Sequence, residues 1–449
     1  MDIKNFILLI NKYLIFYFLL LSISAHCYSY VDISENKKLG YKVVQSLWHS
    51  DEILFDIESQ NYIKNLGTDL AKKSINPGKH FDFFIMSNKA INAFASWYGY
   101  IGINSGLILF TQNESELASV ISHEISHTTL DHLKKRINSE KLESIKTLAG
   151  IVASVFVENK ELVKAISTSA IANGLQNQIS YTRENEAEAD NFSSKIIDQT
   201  NFDPKGLGTF FMRLEDNTKT NEFLLTHPLS KNRAANNFSR NMNTTDENYR
   251  NSFSYKALKA RLAVIENSHI YKHNSNDEIL YHGAFKYLLE GKYKKASEKI
   301  DELTNTNTTK EALLLAGRIY TELNNFPRAK SYFYSIDSFK KYEEVIYFLS
   351  KTLMKSNEIE DAIKLLRDYL KNNRNNVYLN ELIAEAYLKL SKFDRVHFHK
   401  GLALKNKGLF SEALDLMLRA KKETNNKDML SIIEYQISII EEKINFLRS

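Results

Sequence analysis

Apolar residues recur along this chain at two spacings, and the changes between them mark out its elements. Intervals of three and four run through residues 33 to 75, most clearly in IESQNYIKNLGTDLAKKS, and predict helix there. FDFFIMS and YIGINSGLIL are the dense apolar runs of strands, with a turn signal between them at Tyr98-Gly99. From Asn113 a helix is well marked: Asn113 can cap it, Glu116 stands three residues on, and no Pro or Gly follows until Gly150. A further helix carries YTRENEAEADNFSSKIIDQT. Between these two, TLAGIVASVFV and LVKAISTSAIA are each too short to cross a bilayer, and Glu158, Lys160 and Glu161 separate them. They predict a packed helical hairpin of small residues.

After the polar stretch NSHIYKHNSNDE the pattern repeats. EGKYKKA, LNNFPRA, SNEIEDA and LSKFDRV place Ala296, Ala329, Ala362 and Val396 at intervals of 33, 33 and 34 residues. Nine residues before each stand Tyr287, Tyr320, Leu353 and Tyr387, with Ala284, Gly317, Ser350 and Ala384 about one turn earlier. Small residues let two helices approach and the larger ones fill the groove, a pattern that resembles the tetratricopeptide repeat. A fifth match, NKGLFSEA, puts Ala413 only 17 residues after Val396, so one helix from about Phe393 to Lys405 serves two units. MLSIIEYQISIIEEKINFL then caps the last open face.

With 449 residues, more than one core is expected. The N-terminus reads as an export signal: Lys4 and Lys12 precede an apolar run from Tyr13 to Ile23, with cleavage expected near Ser29. The alternative is an uncleaved inner-membrane anchor holding the rest of the chain in the periplasm. Cys27 is the only cysteine, so the exported chain forms no disulfide, and packing and a metal must stabilise it. The formal charge of +5 falls to +4 once the segment's two lysines and one aspartate leave, which gives no ground for nucleic-acid binding. The expected organisation is a signal peptide over 1–29, a catalytic domain over 30–266, a linker over 267–277 and a repeat domain with its capping helix over 278–449.

The chemistry centres on ISHEISHTTLDH. His123 and His127 fall one turn apart on a helix face, so both rings can reach one cation, and Glu124 flanks them where it can meet a metal-bound water. A catalytic zinc wants a third protein ligand and an open position. RENEAEAD can supply it: Glu186 and Asp190 are four apart, so one can bind metal while the other orients a ligand histidine. Glu184 and Glu188 point elsewhere and read as a solvated acidic face, and His132 reads as a supporting or surface residue. For the electrophilic partner of a tetrahedral intermediate the candidates are His227, Tyr181 and Arg183. His227, extended before Pro228, either steadies the oxyanion or occupies the open zinc position as a latch.

NAFASWYGYIGINSGL, HEISH, YTRENEAEAD and THPLSKNR follow one another as in the gluzincin metallopeptidases related to the CAAX prenyl protease and HtpX, and with the signal and repeats the chain resembles their soluble periplasmic branch. The resemblance implies one zinc per chain on His123, His127 and Glu186, Glu124 as catalytic base, and Asp190 in support. It implies a mainly α molecule: an α+β zincin-type metalloprotease domain with a small β-sheet, then an α-solenoid of tetratricopeptide repeats. Substrate is expected as a strand added along YIGINSG, at Gly102, Ile103 and Asn104. Where the family has a glycine-rich turn before this strand, SWYG keeps Gly99 and inserts Trp97 and Tyr98, which line a subsite or simply pack. By the same resemblance the protein is a periplasmic endopeptidase with chaperone-like activity on unfolded or stalled envelope proteins. The repeats would dock outer-membrane β-barrel assembly components, with room for peripheral membrane association. The competing reading is a scaffold in which zinc is structural or latent, against which stands Glu124 beside an open position.

Overall fold

The computed structural model describes residues 37–448 except 50–51, 140–180, 217–221, 269–270 and most of 229–250. The export segment and the small-residue hairpin therefore lie outside the described residues. Helix α1 (37–49) and helix α2 (Ile57–Ala71) are separate, where one helical run over 33–75 was expected. The break comes from Asp56, whose side chain caps α2 by accepting from Ser59 N–H, and from Ile53, which pairs with Met86.

Three strands form the sheet: β1 (Asp82–Met86), β2 (Ala93–Ala95) and β3 (Tyr100–Asn104), in the order β1-β3-β2. The central strand, β3, runs parallel to β1 and antiparallel to β2. The outer edge of β1 is closed, because Ile85 N–H and C=O bond the Gln60 side chain and Leu54 N–H also donates to Ile85 O. Between β2 and β3 the chain turns through Tyr98 (φ 60°) and Gly99 (φ 81°), and a Cβ at Gly99 would stand 1.8 Å from His80 O. The strand expected through YIGINSGLIL stops at Asn104, and α3 (Ser105–Phe110) follows. Gly106 N–H donates to Asn88 O and Ser105 Oγ to Glu266, which draws the backbone out of the sheet.

Helix α4 (Glu114–Thr129) begins as expected, with Asn113 accepting from Glu116 N–H, and is buried from Ser115 to Thr128. It does not run on toward Gly150: Asp131 turns left-handed (φ 53°) and α5 (His132–Ser139) starts anew. Helix α6 (Arg183–Ile197), capped by Thr182, packs along α4, followed by α7 (Gly206–Asp216) and α8 (Glu222–Thr226). The core between them takes Ile63, Ile85, Ile103, Leu117, Ile121 and Phe211.

Helix α9 (Phe253–Ile265) faces two cores. Leu258 and Leu262 enter the sheet-containing one, while Ala257 and Ala260 enter that of the repeats. The repeats pair α10 (Asn276–Leu289) with α11 (Tyr293–Thr304), α12 (Lys310–Glu322) with α13 (Phe326–Tyr334), α14 (Glu343–Lys355) with α15 (Ile359–Leu370), and α16 (Val377–Lys389) with α17 (Phe393–Asn406). Helices α18 (Phe410–Glu423) and α19 (Lys427–Arg448) close the array. Left-handed residues end the first helix of successive pairs at Gly291, Asn324, Asn357 and Ser391, then Gly408, so the turns keep the interval of the small core residues. In α17, Val396 belongs to the main repeat core and Phe398 to the terminal core of Phe410, Met417 and Ile433, so one helix serves two units.

Candidate metal centre

Four segments converge on one buried point. Helix α4 supplies His123, Glu124 and His127, α6 supplies Glu186 and Asp190, the end of α8 supplies His227, and Arg233 and Asn237 close from behind. One ligand atom from each of His123, His127, Glu186 and His227 can be chosen so that all lie within 4.8 Å of one another. His123 Nε2 and His127 Nε2 face each other at 2.9 Å, and each lies 3.4 Å from a Glu186 oxygen. His227 Nδ1 stands 3.1 Å from Glu186 Oε1. Zinc bonds of about 2.0–2.1 Å at tetrahedral angles require ligand atoms about 3.4 Å apart. The His123 and His127 distances, one to each Glu186 oxygen, are close to that requirement, and the His123–His127 pair and His227 need to part slightly. The donor set, imidazoles plus one carboxylate in a water-excluded pocket, fits a borderline divalent cation.

The electrostatics follow from the burial. His123 has Nδ1 3.1 Å from Asp190 Oδ1. Burial alone would push this ring's pKa down, but the Asp190 and Glu186 carboxylates outweigh it and raise it to about 9. Burial and the neighbouring His123 push His127 well below the usual range. Asp190 would be raised by its burial, yet Arg233, gripping both oxygens at 2.9 Å, and the His123 ring bring the pKa down to about 2; Asn237 also donates to it at 3.0 Å. Arg233 also reaches Glu186 Oε2 at 2.7 Å and lies over the Phe211 ring. Glu124 differs: burial raises its pKa, and neither oxygen has a hydrogen bond of good geometry among the described residues. His227 Nε2 is 3.4 Å from it.

Of the residues expected at the site, His123, Glu124, His127, Glu186, Asp190 and His227 meet. Gly102, Ile103 and Asn104 do not offer the expected edge. They are buried in the central strand, and β1 and β2 already use both of its hydrogen-bonding sides. The edge nearest the site is β2: Asn104 N–H bonds Asn92 O and Ser96 N–H bonds Tyr100 O, so the alternation turns the backbone of Ala93 and Ala95 away from β3, where Asn92 Oδ1 accepts from Ala93 N–H and Glu124 lies against the backbone of Ala95. Among the electrophile candidates, Tyr181 stacks on His127 with centroids 3.8 Å apart, while Arg183 is exposed on the first turn of α6. Glu184 is exposed as expected, whereas Glu188 reaches the buried His132 at 3.1 Å. Trp97 packs into a core with Val43, Leu47 and Phe94. Tyr98, stacked on His80, lines a cleft of about 350 Å³ that begins at His127 and Ala95.

Sequence reasoning missed Arg233 and Asn237 as functional positions. Their four-residue spacing and place just after THPLS were the available signals.

Comparison with known proteins agrees with this chemistry. Residues 58–239 match Peptidase family M48. The Beta-barrel assembly-enhancing protease of Escherichia coli (strain K12) is 27% identical over 413 residues, 89% of this chain and 79% of that protein. A Vibrio cholerae relative is 35% identical over 211 residues, and the match spans less than half of each chain, 46% of this one and 44% of the other. Metalloprotease LoiP of Escherichia coli (strain K12) is 30% identical over 201 residues, 41% of this chain and 76% of LoiP. The matched region carries every residue of the four-ligand cluster, and on these matches the chain belongs to the M48 metallopeptidases.

Proposed function

We propose that the protein is a periplasmic zinc endopeptidase that cleaves unfolded or stalled envelope proteins and assists their folding, in the setting of outer-membrane β-barrel assembly. One observation carries the enzymatic reading: Glu124, beside the paired rings, is a buried carboxylate with an upward-shifted pKa and no full hydrogen bond to occupy it. A general base near neutrality needs that combination. His123, His127 and Glu186 would hold zinc, and zinc when bound supplies Lewis acidity to water and to a peptide carbonyl. Glu124 takes the proton from the attacking water and passes it to the leaving amine. Asp190 and Arg233 hold the His123 ring. An extended peptide would donate to the outward carbonyls of Ala93 and Ala95 in β2, which gives little sequence choice.

His227 acts as a latch in this reading, because its ring shares the four-ligand cluster and so fills the position water needs. The relatives named as β-barrel assembly-enhancing proteases support the setting, and the repeats are the surface by which assembly components would dock. No helix among the described residues is long and apolar enough to cross a membrane. The test is zinc content and casein cleavage for the wild type and Glu124→Gln. Retained zinc with cleavage abolished is expected; equal cleavage in both sinks the enzyme. For His227→Ala, more cleavage at comparable zinc content is expected, and less cleavage assigns this ring to the oxyanion instead.

A further inference from the structure

We propose that His132, itself held by Glu188, is the positioning residue for His127: it accepts the His127 Nδ1–H and so fixes that ring with its Nε2 lone pair toward the metal position.

Had α4 continued, five residues would have carried His132 about 140° around the helix from His127. Instead the left-handed Asp131 reverses the chain after Leu130 and lays the second ring against the first, with Nδ1 to Nδ1 at 2.9 Å. His127 is 1% exposed and His132 not at all, so water does not satisfy these nitrogens. At its other end His132 Nε2 stands 3.1 Å from Glu188 Oε2, on α6.

A neutral imidazole has one donor and one acceptor nitrogen. If His127 Nε2 is to offer a lone pair to a cation, its proton must sit on Nδ1, and at 2.9 Å that proton can go only to His132 Nδ1. His132 must then carry its own proton on Nε2, and Glu188 is the acceptor waiting there. One proton arrangement satisfies every group in the chain, and it is the one metal binding needs. Reversing either ring sets two N–H groups or two lone pairs face to face.

The two ring ligands are thus supported differently. His123 leans on a buried carboxylate that Arg233 neutralises. His127 leans on a second imidazole, behind which comes a carboxylate whose side chain is 44% exposed, with Lys135 at 3.8 Å. Supporting partners of this kind are worth about 10- to 100-fold in metal affinity.

The inference rests on the reading of His127 as a ligand, and two measurements on the full chain separate the claims. The first is zinc affinity by competition with a chromophoric chelator. His132→Phe keeps the ring volume and loses the acceptor, and should weaken zinc about 10- to 100-fold. His132→Asn puts an amide oxygen near the lost Nδ1 and should recover most of that loss. Glu188→Ala, at the exposed end, should cost about 10-fold. The second is nitrogen NMR of histidine-labelled, metal-free protein, where His127 should be the Nδ1–H tautomer in wild type and Nε2–H in His132→Phe. A folded His132→Phe that holds zinc as tightly as wild type, or a wild-type His127 protonated on Nε2, overturns the relay. Should His132→Phe fail to fold, unchanged zinc affinity in Glu188→Ala overturns it. A wild type that binds no zinc yet keeps His127 as Nδ1–H sinks the peptidase reading and leaves the relay standing.

Discussion

A carboxylate without full hydrogen bonds in a dry pocket costs stability, and Glu124 is in that position. Its folded pKa is raised, so the cost is absent below the ordinary Glu range and grows as pH rises through the shifted value. In chelated protein, Glu124→Gln should therefore be more stable than wild type by about 1–3 kcal/mol at pH 8, with the difference vanishing near pH 4. Denaturant unfolding at the two pH values checks this. Asp190 has the opposite sign. Held down to about 2 by Arg233, it contributes stability above the ordinary Asp range that is lost as pH falls through about 2. Removing the cation with Arg233→Ala leaves Asp190 and Glu186 as buried anions and should cost about 3–5 kcal/mol, again read by denaturant unfolding. Arg233→Lys should recover only part, because an ammonium cannot make the two-point contact. The HExxH residues could be read from spacing, since the helix fixes their mutual placement. Arg233 could not, since its partners are 43 and 47 positions earlier and only the fold brings them near.

At the scale of elements, the repeats show how far periodicity reaches. Ala284, Gly317, Ser350 and Ala384 are all buried, and a Cβ on Gly317 would sit 2.6 Å from the buried Phe333 ring of the next helix. Gly317→Ala should destabilise by about 1–3 kcal/mol despite its better helix propensity, which thermal melting will register. The run YIGINSGLIL marks the limit. Its apolar residues carry no period that separates strand from helix, and the change at Ser105 is set by the bonds from Gly106 to Asn88 and from Ser105 to Glu266. The continuation of α4 beyond Thr129 failed likewise, because Asp131 adopts a left-handed conformation that nothing in the local pattern demands.

Over the whole molecule, the repeat array lies against the N-terminal helices along much of its length. Arg261, on the shared helix α9, binds Asp56 and reaches Glu58 at 2.9 Å, and Arg318 from the second repeat joins the same Glu58. Further along, Asn61 donates to Glu344, Phe55 meets Tyr378, Lys407 lies over Trp48, and Tyr41 packs edge-on against Phe410. Such an interface makes the two cores unfold together. Scanning calorimetry should give one transition for wild type. Arg261→Ala, which strands the buried Asp56 and leaves Glu58 to Arg318 alone, should lose about 3–5 kcal/mol and split it in two. A single, unmoved transition would mean the ion cluster does not couple the cores.

The sequence alone determined what depends on neighbours within a few turns: the two rings and the base on one helix, the acid pair on another, and the repeat with its shared helix and terminal cap. Side-chain periodicity encodes these directly, because a helix places residues three and four apart on one face. Only the tertiary structure decided which strand edge borders the site, that His227 enters the ligand cluster, and that His132 turns back onto His127. The first two depend on elements distant along the chain meeting, and the third on a left-handed turn at Asp131 with Glu188 of α6 holding the far nitrogen; local spacing carries no record of either.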